Sequence, residues 1–188
     1  MTTTIASVDA PLVLFTSKSK SPEARFANDI VVTTGSDHTP EYYLEAPPKS
    51  ASFVWDLTLR AGGREGRPVC VVRKEPPEPG FKIALSNDAV VDVTESSSFF
   101  GGSSHPFVGV DGTTQYEWRP KSLFFSGGAL VCIKLDGGKT MSDSPVVASW
   151  DPKNWALLKE GTLQINSAFA QEKDLLVATA LAIEEWLH

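Results

Sequence analysis

Short apolar runs separated by turn signals fill the chain from residue 11 to residue 166, and the pattern changes once, near the C-terminus. The runs 12–16, 29–34, 42–44, 53–60, 69–72, 81–85, 89–93, 116–118, 123–125, 129–135, 146–150 and 162–165 are rich in β-branched and aromatic residues and predict strands. In 53–60 the second half alternates apolar and polar positions, as a strand with one buried face does. Gly62-Gly63, Pro76-Pro77, Asn87-Asp88, Asp111-Gly112, Gly127-Gly128, Asp136-Gly137-Gly138 and Asp151-Pro152 supply the turns. Asp-Gly and Gly-Gly pairs between apolar runs favour tight hairpins, because such turns need positive φ. The proline-rich stretch 75–80 reads as a loop inside one domain. Ser96-Ser97-Ser98 and Gly101-Gly102-Ser103-Ser104 flank Phe99-Phe100 and predict a mobile loop reaching Pro106.

From Gln171 onward the signal is helical. Gln171-Glu172-Lys173-Asp174 places acidic residues where a helix begins, and no Gly or Pro follows. Leu175 to Ile183 is apolar on every side of a helical wheel except at Thr179, and the alanines at 178, 180 and 182 favour helix over strand. A helix apolar all round must be buried all round. Nine such residues span roughly 13–14 Å, which fits the inside of a small protein and falls short of a bilayer. The predicted fold is therefore mainly β: a closed antiparallel barrel of about twelve strands wrapped around a buried C-terminal helix at about 171–187. Leu175, Leu176, Val177, Ala180, Leu181, Ile183 and Trp186 are its expected helix core. One domain spans 11–188, after a disordered stretch at 1–10.

Composition adds bounds rather than an activity. The chain has 188 residues, 41% hydrophobic and 21% charged, within the globular range. A net charge of −6 argues against wholesale binding of nucleic acid or of an anionic membrane. Two cysteines, Cys70 and Cys132, sit in strand-like runs and are read as buried apolar residues. With no basic, apolar leader pattern, no glycosylation motif and no transmembrane-length run, the expected location is cytoplasmic, with a peripheral membrane association allowed for.

The residues 111–119 (Asp-Gly-Thr-Thr-Gln-Tyr-Glu-Trp-Arg), 146–150 (Val-Val-Ala-Ser-Trp), 161–165 (Gly-Thr-Leu-Gln-Ile) and the terminal Asp174–Trp186 helix form a hairpin, strand, strand, helix series. This series resembles the tubby C-terminal-like superfamily, which includes tubby domains, phospholipid scramblases and the plant LURP-one-related proteins. It is most similar to an uncharacterised fungal domain of that superfamily. The resemblance covers about residues 105–188 well and 10–100 loosely. It implies a roughly twelve-stranded barrel around a central hydrophobic helix, and a lipid-linked role. Tubby domains bind phosphoinositide head groups through basic surface side chains.

The chain's own basic cluster is Arg60, Arg64, Arg67, Arg73 and Lys74, around the hairpin-like Arg-Ala-Gly-Gly-Arg-Glu-Gly-Arg. Gly-rich backbone and guanidinium forks both suit phosphate, so this is the expected anion or lipid head-group site. His38, His105 and His188 lack zinc-ligand spacing and are read as surface loop residues, and no metal or cofactor is expected. No nucleophile-elbow, P-loop or dinucleotide motif is present. Asp56, Glu95, Asp111 and Glu117 have no spacing that would define a glycosidase pair. Trp118 and Trp150 read as core, and Trp155 as an exposed contact or a cover for the barrel mouth. The expected function is a non-catalytic binding module for an anionic head group, on a phosphoinositide-containing membrane surface or a protein partner. The alternatives are a lipid-scrambling role or, further off, a hydrolase in the 99–106 region.

Overall fold

The computed structural model describes residues 10–19, 28–35, 39–48, 55–75, 77–97, 103–121, 128–135, 144–153 and 160–187. Residues 1–9 and the expected strand at 123–125 lie outside them, as do Phe99, Phe100, His38, Trp155 and His188. The strands are β1 (Leu12–Lys18), β2 (Ile30–Thr34), β3 (Thr39–Glu45), β4 (Trp55–Ala61), β5 (Pro68–Lys74), β6 (Gly80–Leu85) and β7 (Val90–Thr94). They continue with β8 (Ser96–Ser97), β9 (Ser103–Val108), β10 (Gln115–Pro120), β11 (Leu130–Leu135), β12 (Val146–Pro152) and β13 (Gly161–Ile165). A short 3-10 segment, Ser167–Glu172, leads into α1 (Lys173–Leu187).

Each strand pairs antiparallel with its neighbours along the chain, and β1 closes the ring onto β13 with five paired positions. β8 follows β7 after Glu95 and pairs with β9 in the register that Val93–Phe107 sets, so it continues β7. The result is a closed barrel of twelve strands in simple meander order. One expectation is corrected here. Ser103 to Val108, read as part of a mobile loop, is strand β9. It pairs with β10 at four positions, Val108–Gln115 to His105–Trp118, and joins the two halves of the barrel. Its inward positions, His105 and Phe107, are 2% and 4% exposed, but the intervening serines and proline hide the period of two.

Physical dimensions explain why the helix is inside. Twelve strands about 4.8 Å apart and tilted about 40° close on a diameter of roughly 24 Å. A helix with its side chains needs about 10–12 Å. The remainder is about one layer of inward side chains on each side. Residues 175–185 of α1 are all buried, with Leu176, Val177, Thr179, Ala180, Ala182 and Ile183 fully so. They form one cluster with inward residues of the wall, including Leu14, Val32, Leu57, Val72, Ile83, Trp118, Trp150 and Leu163. The side chain of Trp186 lies outside the described residues.

The polar groups of Trp118, Trp150 and Thr179 inside this cluster are matched. The Trp118 indole N–H donates to Thr179 Oγ at 2.8 Å, and both residues are fully buried. Thr179 Oγ donates in turn to the Leu176 carbonyl at 3.1 Å. Trp150 donates to Glu184 at 3.2 Å. The Trp150 ring lies against Gly161, where an added Cβ would stand 2.3 Å from it. These bonds fix the helix in rotation and depth, which apolar packing alone leaves open.

Replacing Thr179 by Val keeps the shape and leaves the Trp118 N–H buried without an acceptor. We expect a loss of about 1–3 kcal/mol in urea unfolding. Thr179→Ser keeps the acceptor and removes one methyl group, about 0.8 kcal/mol. The valine variant is therefore the less stable of the two, and the reverse order would show that the bond carries no weight.

Candidate functional site

The basic cluster read from the sequence is divided by the alternation of the strands that carry it. Arg60, near the end of β4, is held on the outer wall. Its Nε and Nη2 donate to Glu45 Oε2 at 2.9 and 2.8 Å, and its Nη1 to the Gly66 carbonyl at 3.2 Å. Glu45 and Tyr43 face outward on β3, and Tyr43 donates to the fully buried Asp29 at 2.6 Å. Burial, then the Asp29 bond, pushes the Tyr43 hydroxyl up to about 12. Arg60 thus ties the β4–β5 hairpin to a buried polar layer on β3 and at Asp29, just before β2. It is a structural anchor.

Arg73 and Lys74 lie at the other end of β5, roughly 20 Å from Arg67 along the strand. Arg73 faces solvent and pairs with Asp56 at 3.1 Å. Lys74 faces inward, is 6% exposed, and donates to the Glu78 carbonyl. Burial lowers its ammonium pKa, while Glu95 and Glu78 act the other way.

Arg64 and Arg67 remain at the hairpin tip, between Gly62, whose φ is +72°, and Pro68. Arg64 stands 3.9 Å from the fully solvated Glu65, a pair that water screens almost completely. Arg67 is exposed and makes no ion pair among the described residues. It lines a cleft of about 410 Å³ with Tyr42 of β3, Gln171 of the 3-10 segment, and Lys173 and Asp174 at the start of α1. Lys173 bonds Glu41 and lies 5.3 Å over the Tyr42 ring. Tyr42 donates to Asp174. Burial, then this bond, raises the Tyr42 pKa far above the usual phenol value. The cleft is therefore polar, with two cations and two carboxylates, one pair already joined. Lys173, Gln171 and Tyr42 were not among the sequence candidates. Tyr42 and Asp174 are 132 positions apart, a separation that no local spacing signals.

The remaining candidates are dispersed. Asp111 caps its own hairpin, accepting from Thr113 and Thr114, whose bonds hold its carboxyl well below the usual range. Glu95 accepts from Ser103 at 2.7 Å, so the Ser103 hydroxyl is directed at a carboxylate and not at the nearby His105. His105 corrects a second expectation. It is a buried residue of β9 and not a surface loop histidine, and its Nδ1 has no hydrogen-bond partner. Burial lowers its pKa, partly opposed by Glu95. Cys70 and Cys132 are free and buried, and burial pushes the Cys70 thiol up to about 12. Trp118 and Trp150 are core, as expected. Among the described residues no cluster of three or more His, Cys, Asp or Glu could hold a metal ion. No helix among them is long and apolar enough to cross a membrane.

No family model, curated protein or solved structure matches the chain.

His105 yields a pH dependence with a definite sign. Its folded pKa lies below the unfolded value of about 6.5, so the unfolded chain binds the extra proton. Stability falls as pH drops below about 6.5 and continues to fall until the lower folded pKa is passed. His105→Gln should flatten the change in melting temperature between pH 7.5 and 5. Glu172 acts oppositely: burial raises its pKa. An unchanged pH profile in the His105 variant would show that another group carries the dependence.

Proposed function

We propose that the chain is a non-catalytic binding module that recognises a phosphorylated lipid head group at the tip of the β4–β5 hairpin. Arg67 is the principal contact, with Arg64 beside it; Lys173, across the cleft, is already paired with Glu41. The observation that carries the reading is the position of Arg67: an exposed guanidinium with no ion pair among the described residues, on the rim of a cleft of about 410 Å³. A guanidinium offers phosphate two parallel donors, and a Gly-rich hairpin lets the head group approach the backbone. Arg60 and Arg73 are outside this set, since each is committed to a carboxylate. The resemblance of residues 105–188 to the tubby-like superfamily agrees with a lipid-reading role. Insertion of α1 into a bilayer fits poorly. Its 15 residues extend about 22 Å, against about 30 Å of hydrocarbon, and residues 175–185 would have to leave the barrel.

The test is flotation of the purified chain with liposomes carrying each phosphoinositide in turn, at physiological salt. We expect retention on at least one head group, and its loss in the Arg64→Glu/Arg67→Glu variant. Both side chains are surface groups, so the variant should melt as the parent does. Retention that survives the double change would remove this site, and retention on no head group would overturn the lipid reading.

A further inference from the structure

The cleft between the β4–β5 hairpin and α1 holds more chemistry than the guanidinium on its rim. Its volume of about 410 Å³ falls in the roughly 300–1,000 Å³ range of small-molecule sites, but its wall is not the usual apolar one. Ala61, Val69 and Ala170 are its aliphatic members among the described residues, and apart from Tyr42 the rest are charged or amide side chains. Such a wall suits a ligand covered in hydroxyl groups better than a hydrocarbon one.

The charges on the wall cancel. Arg67 and Lys173 stand with Glu41 and Asp174, two of each sign. Lys173 is already joined to Glu41. Arg67 is then the one cation of the lining without a carboxylate partner among the described residues. Arg64 does not add to it. It is not part of the lining, and its charge acts on Tyr43, which faces outward on β3 where Tyr42 faces the cleft.

The carboxylates keep acceptor capacity. Glu41 engages Lys173 through Oε1, and Asp174 engages Tyr42 through Oδ1. Glu41 Oε2 and Asp174 Oδ2 make no hydrogen bond among the described residues. An ionised carboxylate accepts through both oxygens, at about four positions in all. The Glu41 side chain is 34% exposed and open to a ligand. The Gln171 side chain, exposed on the same wall, also makes no bond among the described residues.

We propose that this cleft selects a head group bearing one phosphomonoester on a polyhydroxyl ring and rejects rings bearing two or more. The phosphate lies on Arg67, and ring hydroxyls donate to the open oxygens of Glu41 and Asp174. A second phosphate would meet those same carboxylates with no unpaired cation to receive it, and like charges brought together select against a ligand. Selection of this kind presupposes the head-group reading above and adds the number of phosphates to it.

The test compares phosphoinositides with one, two and three ring phosphomonoesters at physiological salt. Each is offered as the lipid in liposomes, read by flotation, and as its soluble deacylated head group, read by calorimetry. Monophosphates are expected to bind at least tenfold more tightly than bis- and trisphosphates in both forms. Glu41→Gln/Asp174→Asn removes both negative charges and releases Lys173, so bisphosphate binding should rise at least tenfold and the preference should vanish. If that variant melts early, Glu41→Gln alone, at a partly exposed side chain, should move the preference in the same direction. Bisphosphates bound by the parent chain as tightly as monophosphates would overturn the selection and leave the head-group reading standing. A preference unmoved in a folded variant would do the same. Soluble monophosphates bound without flotation would overturn the lipid reading and leave the selection standing, with a free sugar phosphate as the ligand. No binding in either form would overturn both.

Discussion

An α-helix that is apolar on every face has no side to offer to water, and the rest of this molecule follows from that constraint. Eleven consecutive residues of α1, Leu175 to Glu185, are buried. A flat sheet could cover one face of such a helix and a sandwich two. A closed barrel of twelve strands covers all of it, and a helix fills the lumen that a barrel of this width would otherwise leave to water. Wall and helix are each other's core, so neither is expected to persist alone.

The few polar contacts inside this core give it a single arrangement. Trp118 to Thr179 and Trp150 to Glu184 connect the helix to β10 and β12. Tyr42 to Asp174 connects its first turn to β3 on another part of the wall. A hydrocarbon helix in a hydrocarbon lumen can slide and turn at little cost, whereas a buried indole N–H without its acceptor is costly. Fixing α1 at its first turn also positions Lys173 and Asp174 beside the β4–β5 hairpin, so the internal constraint shapes the external cleft.

The architecture was legible because its signals are local. Period-two runs, Gly-containing turns and the unbroken apolar segment 175–183 each report on neighbours in sequence. β9 escaped because Ser103, Ser104 and Pro106 disguise its alternation, and its identity depends on pairing with β10. His105 was misplaced for the same reason. The binding surface was legible only in part. Five basic residues close in sequence were read as one patch, but successive residues of a strand face opposite ways, and Arg73 and Lys74 are separated on that ground alone. Arg60 is withdrawn by Glu45, fifteen positions away. Lys173 and Tyr42 enter the cleft only through the closure of the barrel around α1.

Native-state hydrogen exchange along α1 tests the central claim most directly. If the helix is the core that the barrel needs in order to exist, the amides of Leu176 to Ile183 can exchange only when the whole molecule unfolds. Their opening free energies should then equal the global unfolding free energy from denaturant titration, as should those of inward residues such as Leu57, Val72 and Ile83. Helix amides that exchange at a markedly lower free energy while the strands stay protected would contradict it. They would mean that α1 can leave a barrel able to stand without it.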